Sequence, residues 1–317
     1  MNYKTQTHEH ITEFTLSRRD MLKVFIGLGI SLSTGRLSMA SEGKQSILKR
    51  KIPSTGQTVP VIGLGTARTF DVSGSESRAP LKEVLRSFVN MGGTVVDTSP
   101  MYGTAETVIG DLAAELGVVD SLFLATKVWT TGREAGIEQM TASMKRLRTD
   151  HIDLIQVHNL VDTQTHLKTL RKWKEEGRIS HVGITHHDVS AFSELERLIK
   201  TENLDFVQFN YSIQTPDAEK RLLPLAADTG TAVLVNEPFE NGELFRKAKG
   251  KSLPPWTAGF DCKSWAQFFL KYIISHPAVT CVIPATSNPE HLKDNMQAGI
   301  GRLPDENTRR RMLEYIK

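Results

Sequence analysis

Short apolar runs alternate with stretches of helical spacing along most of the chain. Eight runs read as strands: residues 59–65, 94–98, 122–128, 152–157, 181–185, 206–210, 232–236 and 280–284. They are continuously apolar rather than alternating. A strand with one wet face alternates, so these are expected to be buried on both faces, as in a parallel sheet covered by helices. Between them apolar positions recur every three to four residues. Leu81, Val84, Leu85, Phe88 and Val89 share one face of segment 81–91. Segments 135–147, 165–176, 188–200, 217–228, 263–275 and 289–297 carry related patterns, and a turn at Tyr102 opens a further helix. Gly177 stands where a helix ends before the next strand. Eight β–α alternations predict an α/β fold, a single-domain (β/α)8 TIM barrel. A doubly wound open sheet is the alternative. It asks for GxGxxG after the first strand, and Gly63-Leu64-Gly65 runs instead into Thr66-Ala67-Arg68. A Pro53-Ser54-Thr55-Gly56 turn within residues 49–57 reads as a hairpin before the barrel. Residues 240–261, with three glycines and two prolines, read as a long irregular loop.

The first forty residues do not fit this pattern. Ser17-Arg18-Arg19-Asp20-Met21-Leu22-Lys23 looks like a twin-arginine export signal. An apolar stretch at 24–33 follows, then Ser38-Met39-Ala40 with small residues where a signal peptidase needs them. The apolar stretch falls short of the roughly 20 residues that a membrane span requires. The expected division is a signal peptide at 1–40, cleaved after Ala40 by way of the twin-arginine export machinery, and a barrel at 41–317. That places the protein in the periplasm, or otherwise outside the cytoplasm, without stable membrane insertion after cleavage.

Composition narrows the partners. The chain has 317 residues, 39% hydrophobic and 24% charged, an ordinary globular balance. A net charge of +3 gives no reason to expect a nucleic-acid surface. The two cysteines, Cys262 and Cys281, make no metal motif, and buried unpaired thiols are the favoured reading.

Three strand-like runs end in, or lead into, chemistry-bearing residues. Val95-Val96 ends in Asp97, and Tyr102 follows five residues on. Residues 123–127 end in Lys127, and 154–158 end in His158. In a parallel barrel those ends meet on one face, where active sites are built. The order and local motifs, Asp97-Thr98-Ser99-Pro100-Met101-Tyr102-Gly103 above all, resemble the aldo-keto reductase family. The likeness runs from about residue 59 to about residue 298. It implies an NAD(P)H-dependent oxidoreductase that reduces an aldehyde or ketone to an alcohol, or runs the reverse.

Hydride must reach the carbonyl carbon and a proton its oxygen. Tyr102 would give the proton, and Lys127 beside it would make the phenol a better acid. Asp97 would keep Lys127 charged, and His158 would polarise the carbonyl. Met101 and Trp129 would line the substrate pocket. The resemblance further implies that Gln208, with Thr185 and His186 in places usually held by Ser-Asn, meets the nicotinamide carboxamide. Pro284, Ala285, Thr286, Ser287, His291 and Asn295 match the adenosine-phosphate motif. NADP(H) is the first expectation, with NAD(H) a competitor, because Ala285 and His291 stand where NADP-preferring members carry cations. Asn236 and Glu237 likewise replace a Tyr or Arg near the cofactor. No metal is expected at His186-His187, since neighbours in an extended segment point apart. The different-class alternative is an exported cofactor-binding sensor or accessory subunit with little turnover.

Overall fold

The computed structural model describes residues 46–316. The twin-arginine segment and its cleavage site lie outside the described residues. β1 (Lys49–Lys51) and β2 (Thr58–Pro60) form an antiparallel hairpin in which Lys49 faces Pro60 and Lys51 faces Thr58. Eight parallel strands follow: β3 (Leu64–Gly65), β4 (Val95–Asp97), β5 (Phe123–Val128), β6 (Ile152–His158), β7 (Ile179–His186), β8 (Phe206–Asn210), β9 (Ala232–Asn236) and β10 (Cys281–Val282). Each pairs with the next in chain order. Parallel bridges from Ile62 to Val282 and from Gly65 to Ala285 join first to last and close the barrel.

Helices cover the outside between successive strands. They are α1 (Ser75–Asn90), α2 (Ala105–Leu116), α3 (Arg133–Leu147), α4 (Thr163–Glu175), α5 (Phe192–Thr201) and α6 (Leu222–Thr229). α7 (Glu243–Ala248), α8 (Trp265–Ile274), α9 (Pro289–Gln297) and α10 (Glu306–Ile316) follow.

Closure brings backbones together at the seam. Gly65 donates to the Pro284 carbonyl at 3.1 Å, and a Cβ at Gly65 would stand 2.6 Å from the Ile283 carbonyl oxygen. No other residue fits there without moving the seam.

Side chains alternate in and out along each strand. Val95, Phe123, Ala125, Leu154, Phe206 and Leu234 pack together inside the barrel, over Ile52 of the hairpin, which plugs the bottom. Their neighbours Val96, Leu124, Ile155, Val207, Val233 and Val235 face the helices. The inward column then changes character toward the strand ends. Two residues beyond Val95 comes Asp97, beyond Ala125 Lys127, beyond Leu154 Gln156, beyond Phe206 Gln208, beyond Leu234 Asn236. An apolar floor carries a polar ceiling, because period two hands the same face to different chemistry near the C-terminal end.

Two expectations are corrected, and one helix is added. Residues 59–65 are not one strand. Val59 and Pro60 belong to the hairpin, which therefore reaches beyond residue 57, and the barrel strand begins at Leu64. The stretch 240–261 contains α7 and short 3-10 turns, its Glu243–Ala248 segment burying Leu244 and Ala248. A terminal helix, α10, closes the outside by burying Arg309, Met312 and Ile316. Its i, i+3, i+7 spacing is helical, but a buried arginine at the head of the stripe hides it from an apolar count.

Candidate active site

Tyr102 sits in the loop after β4 by a local device. Gly103 holds φ 56, and a Cβ there would lie 2.2 Å from the Asp71 carboxylate. That carboxylate accepts from the Thr104 amide at 2.9 Å and from the Thr104 hydroxyl at 3.1 Å, tying the loop down beside α2. The turn keeps Tyr102 at the strand ends instead of continuing outward.

Lys127 has no exposed surface. An isolated buried ammonium costs several kcal/mol, so its partners decide whether it stays charged. Its Nζ donates to Asp97 Oδ2 at 2.6 Å and to the Thr98 carbonyl at 2.8 Å, and lies 4.9 Å from the Tyr102 ring centroid. Burial works against the charge, but Asp97 and then Tyr102 outweigh it and hold the ammonium above the ordinary lysine range. Asp97 is itself steered from the other side. Gln208 Nε2 donates to its Oδ1 at 2.9 Å and Gln156 Nε2 at 3.3 Å.

Tyr102 is mostly enclosed. Burial raises its pKa above 10, the Lys127 charge offsetting part of that rise. The phenol therefore keeps its proton at neutral pH. His158 stands edge-on to it with ring centroids 6.1 Å apart. Burial first, then Lys127, His187 and His186, pushes His158 down to about 3. The imidazole is neutral wherever the protein is folded under ordinary conditions. Asp97, Tyr102, Lys127 and His158 thus converge, as the strand ends lead one to expect.

A cavity of about 700 Å3 opens above them, lined by Asp97, Met101, Tyr102, His158, Thr185 and Gln208 among others. A second, of about 420 Å3, shares Phe239, Phe245 and Ala285 with the first and continues to Thr286, His291 and Asn295. Lys127 lies behind the wall. Trp129, expected to line the pocket, lines neither cavity; it is 39% exposed, its ring centroid 6.2 Å from that of His158. Met101 is 43% exposed at the mouth. Ser287 and Pro284 line neither cavity. Asn288 caps α9 by accepting from the Glu290 and His291 amides.

Two expectations change in detail. Both ends of the Gln208 amide are taken within the protein. Its Nε2 goes to Asp97, and its Oε1 accepts from Thr185 at 2.9 Å and from Asn236 at 3.4 Å. His186 and His187 do not point apart. Their rings stack 5.4 Å apart and within 6° of parallel. β7 ends at His186, so the alternation of a strand no longer governs the pair, and the Asp188 amide donating to His186 Nδ1 turns the chain. His187, not His186, lines the cavity. Among the described residues no three His, Cys, Asp or Glu gather as a metal site. Cys262 and Cys281 are both buried and unpaired.

Sequence reasoning passed over Ser99, Gln156 and Asn159. Asn159, just past the end of β6, lines the cavity, and Gln156 steers Asp97 from within the barrel at the inward position that period two assigns. That period, read across aligned strands, is the signal that finds Gln156. Ser99 has no such signal.

The chain is similar to known proteins along most of its length. Methylglyoxal reductase YeaE of Escherichia coli (strain K12) is 28% identical over 246 residues, covering 75% of this chain and 84% of that protein. The structure of an aldo-keto reductase from Klebsiella pneumoniae in complex with NADPH superimposes with TM-score 0.72 at 24% identity, over 85% of this chain and 96% of that one. Aldo-keto reductase AKR11C1 from Bacillus halodurans, holo form, gives TM-score 0.67 at 23% identity over 85% and 96%. The two structures share the fold. The aldo/keto reductase family model matches residues 61–311, a span that holds every strand of the closed barrel and most of α10, and on that match the chain belongs to the aldo/keto reductase family of oxidoreductases.

Proposed function

We propose that this protein is an exported, nicotinamide-dependent carbonyl reductase in which Tyr102 is the general acid. The observation that carries the reading is the buried Lys127 ammonium, held by Asp97 on one side and lying against the Tyr102 ring on the other, with His158 edge-on to the same phenol. The relative named as a methylglyoxal reductase and the relative bound to NADPH make a small aldehyde or ketone and NADP(H) the first candidates.

The residues present fit such a cofactor. Asn159 and Asn236 each leave a buried side-chain oxygen without a hydrogen-bond partner among the described residues, and both line the large cavity. These are unspent acceptors suited to the two N–H groups of a nicotinamide carboxamide, a role that Gln208 cannot fill while its amide serves Asp97. Phe239 and Phe245 offer apolar wall between the two cavities. Thr286, His291 and Asn295 face the space for the adenosine end. The bound dinucleotide supplies the hydride. Tyr102 gives its proton to the carbonyl oxygen as negative charge gathers there. Lys127 stabilises the phenolate left behind, and Asp97 keeps that cation aimed. His158 donates a hydrogen bond to the same oxygen.

Replacing Tyr102 by Phe removes a donor needed in the transition state only. We expect kcat with methylglyoxal to fall by about a hundredfold or more, with the dissociation constant for NADPH changed less than about threefold. Equal losses in both would defeat the assignment.

Export rests on Arg18, Arg19 and the Ser38-Met39-Ala40 segment. The exported form should begin at or near Ser41, and N-terminal sequencing that finds intact Met1 on it would rule this out.

A further inference from the structure

His158 can donate to a carbonyl oxygen only if the nitrogen that faces the cavity carries the proton. A neutral imidazole holds one proton on either Nδ1 or Nε2, and the partner of one nitrogen decides the other. The partner here is Ser99. Its Oγ lies 3.2 Å from His158 Nδ1, and the Met101 amide donates to the same Oγ at 3.2 Å. Ser99 has no exposed surface, so water does not reach the hydroxyl. Among the described residues that oxygen makes no other hydrogen bond.

Hydrogen counting then leaves two arrangements. In one, Nδ1–H donates to Ser99. The oxygen would accept two bonds, from His158 and from Met101, and its own hydrogen would point at nothing in a dry site. In the other, Ser99 accepts from Met101 and donates to a bare Nδ1. Every group is then satisfied. Orphaning a buried donor disfavours the first arrangement by roughly tenfold or more.

We propose that Ser99 is a positioning residue that fixes the tautomer of His158, holding Nδ1 as acceptor so that Nε2–H is presented to the cavity. Ser99 lies two residues past Asp97 in the loop that carries Tyr102, so one short segment sets both the proton donor and the orientation of the polarising imidazole. The catalytic consequence rests on the reductase reading; the tautomer does not.

Nitrogen-15 NMR of the imidazoles in the full-length chain tests it, with His158 assigned by the signals lost in H158N. Wild type should show a protonated, pyrrole-type Nε2 and a bare, pyridine-type Nδ1. In S99A the His158 signals should move toward a mixture of tautomers. With methylglyoxal and NADPH as probes, kcat/KM should fall about three- to tenfold, with NADPH affinity unchanged. S99T keeps the hydroxyl and should restore the wild-type signature and most of the rate. Should S99A fail to fold, the wild-type and S99T spectra decide the question. A wild-type Nδ1–H tautomer overturns the proposal, and so does S99A with unaltered His158 signals and rate. An Nε2–H signature that depends on Ser99, in a protein that turns over no methylglyoxal with either NADPH or NADH, supports the role of Ser99 while counting against the reductase reading.

Discussion

Burial acts on the protonation state of each titratable group gathered at the strand ends. Tyr102 is held protonated by desolvation, Lys127 is held charged by Asp97 in spite of it, and His158 is held neutral by it. One consequence is visible in solution. An ordinary histidine titrates near 6.5, and a catalytic one would cut off activity below that pH if its neutral form were required. With His158 pushed down to about 3, the neutral form persists through mild acid. Carbonyl reduction should therefore show no acid limb between pH 5 and 8 in kcat/KM. A fall of slope one centred near 6.5, abolished in H158N, would contradict the environment described. Glu237 marks a second departure at this scale. Its carboxylate lines the cavity without an ion-pair partner among the described residues, and it adds to the rise in Tyr102.

Single elements are fixed to the barrel through contacts made far along the chain. α10 is the clearest case. Arg309, 5% exposed, donates to the Tyr211 hydroxyl and to Glu219 Oε1, both at 2.6 Å. Tyr211 and Tyr272 donate to that same carboxylate oxygen at 2.5 and 2.7 Å. The arginine thus clasps α10 to α8 and to the segment after β8. Truncating one partner of a largely buried charge network leaves the other unpaired. R309M should lower unfolding stability by roughly 2–3 kcal/mol, read as a shifted denaturant midpoint, while leaving cofactor affinity intact. Stability within about 0.5 kcal/mol of wild type would show that α10 merely rests on the barrel.

At the scale of the whole molecule, the proposed cofactor space bears on the choice between NADPH and NADH. The smaller one presents Thr286, His291, Asn295 and Asp294, and no lysine or arginine lines it. Lys293, the nearest in sequence, is spent on Glu290 at 2.7 Å. A 2′-phosphate gains most from a bidentate arginine or a point-charge lysine. The ratio of dissociation constants for NADH and NADPH should accordingly stay within about tenfold, and A285R should raise it toward NADPH by about tenfold or more. A wild-type preference above about a hundredfold would mean that another group meets the phosphate.

The chain's own pattern determined a good deal. Unbroken apolar runs alternating with helical spacing are enough for a parallel sheet covered by helices on both faces, and the missing GxGxxG turn after the first strand favours the barrel over the doubly wound sheet. The polar residues closing those runs locate the mouth, since all parallel strands end on one side. Asp97, Lys127 and His158 are legible for that reason, and Tyr102 because it stands in the turn that opens a helix after Asp97, within a motif that resembles the family's. What only the tertiary structure decided depends on which side chains become neighbours across the barrel. Gln208 lies 111 residues from Asp97 yet spends its amide on it, and Ser99 reaches an imidazole 59 residues away. Local periodicity carries no information about such pairs, because hydrogen-bond partners are chosen by register between strands and by closure of the sheet. The burial of Arg309 has the same origin, since Tyr211, Glu219 and Tyr272 reach it from far along the chain.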